Sequence, residues 1–106
     1  DKTKRPLMGK ICARLSNQVI FTSDNPRNED PADIAQQMLD GVEPQYLPNV
    51  ITVLDRKQAI KTATLFAQSG DVILIAGKGH EPYQEIQGVK HHFDDREIVK
   101  EFFNLQ

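Results

Sequence analysis

The stretch Val72-Ile73-Leu74-Ile75-Ala76-Gly77-Lys78-Gly79-His80-Glu81 decides the reading of this chain. Residues 72–76 are its most apolar run, with three β-branched side chains and no polar alternation. Such a run reads as a central parallel strand buried on both faces. Before it, Asp55 with Gln58 three residues on forms a capping-box pattern, and Ala59, Ile60, Ala63, Phe66 and Ala67 line one face until Gly70. Residues 50–54 read as a strand ahead of that helix, so 50–76 spells one βαβ unit.

The same alternation extends towards both ends. Leu7, Ile11 and Leu15 recur at i, i+4 and i+8 with Met8 and Cys12 alongside, which predicts a helix opened by Pro6 whose apolar stripe faces the core. Residues 19–22 read as a buried strand. Asp30-Pro31 is an N-cap followed by proline at the first helical position, and Ile34, Ala35, Met38 and Leu39 supply an apolar face closed by Gly41. The segment 45–49, with Pro44 and Pro48, is the best internal linker. Past the apolar run, 83–86 and 89–93 read as a hairpin joined at Gln87-Gly88. Asp94 and Glu97 then box a last helix carrying Ile98, Val99, Phe102 and Phe103, with Phe93 and Ile98 at staple positions. The expected fold is α/β and Rossmann-like, a mainly parallel sheet flanked by helices with a C-terminal hairpin and helix.

Composition narrows the class. The 106 residues fit one domain, and 39% hydrophobic with 26% charged residues is an ordinary globular balance. Thirteen basic against fifteen acidic residues, dispersed along the chain, leave no footprint for nucleic acid. No apolar run is long enough to span a bilayer, and one cysteine makes no internal disulfide, so a reducing, cytoplasmic setting without membrane contact is expected. The chain opens on Asp1-Lys2-Thr3-Lys4-Arg5, which reads as the middle of a loop and therefore as an excised fragment.

In open parallel sheets, ligands bind beyond the carboxyl ends of the strands. Two unusual loops fall there: Thr22-Ser23-Asp24-Asn25-Pro26-Arg27 and Gly77-Lys78-Gly79-His80-Glu81. The second is not a Walker loop, since Val72 occupies the first glycine position and Gly79 follows Lys78 where Ser or Thr is needed. It is either a ligand loop or a turn that glycine permits. In the first, an acidic acceptor, an amide and a planar guanidinium suit a zwitterion, whereas an Asx-type turn closed by Arg27 is the local alternative. His91 and His92 point to opposite faces of a strand, and with His80 they make no metal site. Cys12 reads as a packed small hydrophobe rather than a nucleophile. Lys2, Lys4 and Arg5 read as a solvated face or a lure for polyphosphate.

Asp24-Asn25-Pro26-Arg27 and, some fifty residues on, Ala76-Gly77-Lys78-Gly79-His80-Glu81 together resemble the carboxy-terminal domain of the Mur ligases of the MurE type. The flanking Asp1-Lys2-Thr3-Lys4-Arg5-Pro6-Leu7-Met8-Gly9 and His92-Phe93-Asp94-Asp95-Arg96-Glu97 extend the match over essentially the whole chain. The resemblance implies a cytoplasmic, ATP-dependent amide synthetase of peptidoglycan assembly. It joins meso-diaminopimelate to UDP-MurNAc-L-Ala-D-Glu through an acyl phosphate that the incoming amine attacks. It further implies that amino-terminal and central domains hold the UDP-sugar, ATP, Mg²⁺ and a carbamylated lysine, while this domain presents the amino acid and is inactive alone, with no cofactor of its own.

By the same resemblance Asp24, Asn25, Pro26, Arg27, Gly77 and Glu81 contact diaminopimelate, Lys78 and His80 are additional loop contacts, and no catalytic or metal-binding residue lies in the chain. Two departures are visible. Pro82 stands where the family has Asp, removing a backbone donor. The family's domain also begins upstream, with a Tyr-Ala-His loop, a first strand and a Gly-Gly-Asp-Arg loop. Residues 1–106 are therefore expected to lack the first strand and helix and to self-associate through an exposed sheet edge. Two other readings remain: a stand-alone Rossmann-like module for a small anion, and a ligase domain of the folylpolyglutamate synthase type.

Overall fold

A computed structural model describes residues 2–78 and 81–103. Four helices and four strands follow one another as α1 (Arg5–Leu15), β1 (Val19–Phe21), α2 (Pro31–Asp40), β2 (Val50–Thr52), α3 (Arg56–Phe66), β3 (Tyr83–Ile86), β4 (Val89–His92) and α4 (Asp95–Phe103). The fold is α/β, with a small parallel sheet and an antiparallel hairpin. Strands β1 and β2 pair in parallel, Val19 opposite Val50 and Phe21 opposite Thr52. Two further bonds, Val53 N–H to the Phe21 carbonyl (3.0 Å) and Ser23 N–H to the Leu54 carbonyl (3.3 Å), carry the pairing past the strand ends. Both strands therefore deliver their following segments to one end of the sheet.

The caps form where the sequence puts them. Asp30 accepts from Ala32 N–H at 2.9 Å, and Asp55 from Gln58 N–H at 3.1 Å. Gln87 and Gly88, at φ 50° and 79°, make the left-handed turn that a two-residue hairpin requires, and Tyr83 pairs with His92. Segment 44–49, read as a linker, is instead a 3-10 turn whose Tyr46 packs against the core of Ala13, Phe21 and Val42.

The face of α1 corrects the sequence reading. Leu7, Met8, Ile11 and Leu15 are all exposed, whereas Gly9 and Ala13 are buried. The helical period holds, but the packed side is the small-residue side, with Cys12 against the core. The reason is the closeness of α2: a Cβ on Gly9 would stand 1.8 Å from the Met38 carbonyl oxygen, and one on Gly41 would stand 1.7 Å from that of Pro6. Only glycine permits backbones that near. Arg5 clamps the crossing, donating to Glu29 at 2.7 and 3.0 Å and to Gln37 at 2.9 Å.

Residues 72–76 form no strand, which is the second correction. They run on from Gly70 without joining a ladder among the described residues, and Val72 and Leu74 are 93% and 87% exposed. A strand is defined by its partner, and among the described residues β1 and β2 pair only with each other. Phe66, expected inside, is exposed as well.

Candidate functional site

Residues 24–27 leave the end of β1 and lie across the hairpin. Asn25 makes the junction: its Oδ1 accepts from Glu85 N–H at 2.7 Å, and its Nδ2 donates to Glu81 Oε1 at 3.1 Å. Gln84 reaches back from β3, its Nε2 donating to the Asp24 carbonyl at 2.9 Å. Pro26 is buried. Arg27 takes φ 56°, a left-handed conformation that costs a non-glycine residue on the order of 1 kcal/mol or more. Its backbone holds that conformation through Arg27 N–H to the Glu85 carbonyl (3.0 Å) and Gln87 N–H to the Arg27 carbonyl (2.5 Å). The guanidinium itself is exposed, with one long bond to the Asn25 carbonyl at 3.3 Å. The loop is thus fixed by partners some sixty residues away, not by an internal Asx turn.

Gly77 closes on the same loop. It adopts φ 103°, and a Cβ there would stand 3.2 Å from Asp24 Oδ2. The other Asp24 oxygen, Oδ1, is buried without a hydrogen-bond partner among the described residues. Burial pushes the Asp24 carboxyl above its usual range, against the pull of Arg56, and Glu81 adds to the rise. A buried, unpartnered carboxylate oxygen needs a donor, and an ammonium is the strongest candidate. Glu81 Oε2 accepts from the Tyr83 hydroxyl at 3.2 Å, which pushes the phenol upward.

Lys78 is turned inward. Only 3% exposed, it donates through Nζ to the Tyr83 carbonyl and lies 5.5 and 5.8 Å from the Tyr83 and Phe93 ring centres. The structure therefore brings Asp24, Asn25, Pro26, Arg27, Gly77, Lys78 and Glu81 together, while Gly79 and His80 lie outside the described residues. Pro82 accepts from Phe93 N–H at 2.9 Å, so the residue that departs from the family pattern still anchors the hairpin through its carbonyl. Among the described residues no three His, Cys, Asp or Glu side chains gather as a metal site. The basic start is partly absorbed by structure, since Arg5 holds Glu29.

Sequence reasoning missed Arg56 and Asp95. They form a buried two-bond ion pair at 2.8 and 2.7 Å, and although Asp95 lies within the matched stretch 92–97, nothing there pointed to Arg56. The one available signal was position, at the first turns of two capped helices that enter the same end of the sheet. A cleft of about 510 Å³ opens beside them, lined by Ser23, Pro26, Leu54, Arg56, Gln84 and Phe93 among others. Its lining does not include Asp24, Arg27, Gly77 or Glu81.

Comparison with known proteins gives these positions a context. The family model for the Mur ligase, glutamate ligase domain, matches residues 1–79. A Parabacteroides distasonis protein named UDP-N-acetylmuramoyl-L-alanyl-D-glutamate–2,6-diaminopimelate ligase is 58% identical over the whole chain, which spans 22% of that relative. Its namesake in Bacteroides thetaiotaomicron is 57% identical over 98% of the chain and 22% of its own length. A solved structure of a ligase of that name superposes with a TM-score of 0.90 at 46% identity, over 98% of this chain and 21% of the other. The chain spans about a fifth of the length of the relatives it matches.

Proposed function

The chain belongs to the Mur ligase, glutamate ligase domain family, and on that premise we propose that it is the amino-acid-presenting domain of a ligase adding meso-diaminopimelate to UDP-MurNAc-L-Ala-D-Glu. The carrying observation is the fixed loop of residues 24–27. It holds an exposed guanidinium at Arg27 on one side and buried or half-buried carboxylates at Asp24 and Glu81 on the other. Meso-diaminopimelate has an ammonium and a carboxylate at each end, and lysine lacks the distal carboxylate. Arg27 offers that carboxylate a planar, bidentate partner, while Asp24 and Glu81 receive an ammonium. Lysine offers Arg27 no such partner, and a bound lysine that covers this exposed guanidinium leaves it desolvated and unpaired, a cost of about 2–5 kcal/mol.

In this proposal the reaction belongs to the whole protein, in the cytoplasm. ATP phosphorylates the glutamate carboxylate, and the amine of the bound diaminopimelate attacks that acyl phosphate and releases phosphate. The residues of this chain bind and orient the amine; they are assigned no part in holding ATP or Mg²⁺. No described helix is long and apolar enough to cross a membrane. The names of the relatives above do not favour a stand-alone anion module or a folylpolyglutamate-type ligase.

For residues 1–106 in isolation we propose a second copy as the occupant of the unpaired run 72–76. Covering Val72, Leu74, Leu65 and Phe66 removes roughly 400–500 Å² of apolar surface per copy. That is about 900 Å² in a symmetric pair, below the area of a stable interface and in the range of a weak, concentration-dependent one.

The assignment is tested by supplying the full-length protein with ATP, Mg²⁺ and UDP-MurNAc-L-Ala-D-Glu, and either meso-diaminopimelate or L-lysine. Tripeptide formation with diaminopimelate, at a kcat/KM at least about 30-fold above that with lysine, is expected. Equal use of lysine contradicts it.

A further inference from the structure

One guanidinium ties the two loops of the site together. Arg56, 3% exposed at the first turn of α3, donates from Nη1 to the Ser23 carbonyl at 3.0 Å and from Nη2 to the Ala76 carbonyl at 3.1 Å. Ser23 is the residue before Asp24, and Ala76 is the residue before Gly77. Two further donors engage Asp95, Nε to Oδ1 at 2.8 Å and Nη2 to Oδ2 at 2.7 Å, and Asp95 is itself 5% exposed at the start of α4. No ladder joins 72–76 to β1 among the described residues, so backbone pairing does not hold Gly77 opposite Asp24. A single side chain spans both carbonyls in place of a strand-to-strand ladder.

We propose that Arg56, oriented by Asp95, is a positioning residue that sets the separation of the Asp24 and Gly77 loops and thereby the fit of the amino-acid substrate. The proposal rests on the reading of these loops as the amino-acid site. The planar fork matters: its donors meet four acceptor oxygens, both of Asp95 and the carbonyls of Ser23 and Ala76. A lysine ammonium keeps the charge but cannot span both carbonyls and the carboxylate at once. Because Arg56 lies behind the loops, its loss moves the ligand contacts without removing any of them. A displacement of about an ångström takes hydrogen bonds out of bonding range, and so weakens binding of the amino acid those loops hold.

The test is Arg56→Lys in the full-length enzyme, with KM measured separately for amino acid, ATP and UDP-dipeptide, alongside the melting temperature. The expected result is a rise of about 10- to 100-fold in KM for the amino acid, with the other two KM values within about threefold of wild type. A purely structural role predicts fewer active molecules, with kcat falling and all three KM values unchanged; that result overturns the proposal. Asp95→Asn, which keeps the shape and one acceptor, serves where Arg56→Lys yields no folded enzyme. It is expected to raise the same single KM by a smaller factor, and no change in that KM overturns the proposal too. The wild-type enzyme is first assayed with diaminopimelate and lysine. Preference for another amino acid overturns the diaminopimelate reading alone, and the positioning role is then judged on the KM of the amino acid actually used.

Discussion

Asp24 combines a desolvated carboxylate with an oxygen that has no partner among the described residues, and that combination sets function against stability. Because burial raises its folded-state pKa, the folded protein takes up this proton more readily than the unfolded chain. Ionised Asp24 therefore costs stability at neutral pH, and the cost fades as the pH falls through the raised value. Asp24→Asn is expected to raise the melting temperature of the chain while weakening diaminopimelate binding by the full-length enzyme; a lower melting temperature contradicts the account. Asp94 behaves oppositely. Hydrogen bonds from the Arg96 side chain and then its backbone N–H pull the Asp94 carboxyl down to about 2 from its usual 3.8. Their contribution is complete above about pH 4 and is lost as pH falls towards 2. Melting curves across that range should fall less steeply in Asp94→Asn than in wild type. Asp24, Asn25 and Arg27 stood out in the sequence because their types suit a zwitterion, whereas Gly77 and Glu81 were marked only by the resemblance to the MurE-type ligases, on a loop that its own residues left open between a ligand role and a glycine turn. The pairing of Arg56 with Asp95 did not stand out, because a long-range ion pair leaves no local pattern, even with Asp95 inside a stretch that carries the resemblance. Truncating one partner of such a buried pair costs about 3–5 kcal/mol.

Helix caps, the hairpin turn and the order of elements are local properties, and Asp30, Asp55 and Gln87-Gly88 announced them. What local chemistry could not announce was how closely two helices approach. Leu7, Ile11 and Leu15 form the better apolar stripe, yet Gly9 and Ala13 face α2, because contact between backbones excludes larger side chains. Gly9→Ala places a methyl group 1.8 Å from the Met38 carbonyl oxygen, so α1 must move. The expected loss is about 1–3 kcal/mol, read by denaturant or thermal unfolding of the chain. Leu15→Ser, on the 82% exposed side, is expected to change stability by less than about 0.5 kcal/mol. Equal losses in the two variants contradict the assigned face. The run 72–76 failed for the complementary reason: its apolar character was read correctly, but a strand needs a neighbour that sequence periodicity cannot supply.

Across the whole molecule, the expected consequence of that unpaired run is association. Residues 1–106 are expected to sediment partly as dimers at tens of micromolar, and Val72→Lys to return them to monomers; a wild-type chain that stays monomeric rules out the second copy as occupant. The same scale carries the functional claim: in the proposed reading this chain is about a fifth of a ligase and displays a site whose substrate reacts elsewhere in the protein. That claim rests on Arg27. The most direct measurement is the KM for meso-diaminopimelate, ATP and UDP-dipeptide in the full-length enzyme carrying Arg27→Ala, with the folded fraction determined alongside. Loss of a bidentate charge-assisted pair predicts a rise in the diaminopimelate KM, with kcat/KM for that substrate down about 30- to 1000-fold and the other two KM values nearly unchanged. A folded Arg27→Ala enzyme that binds diaminopimelate as wild type does contradicts the account and leaves Arg27 a turn residue.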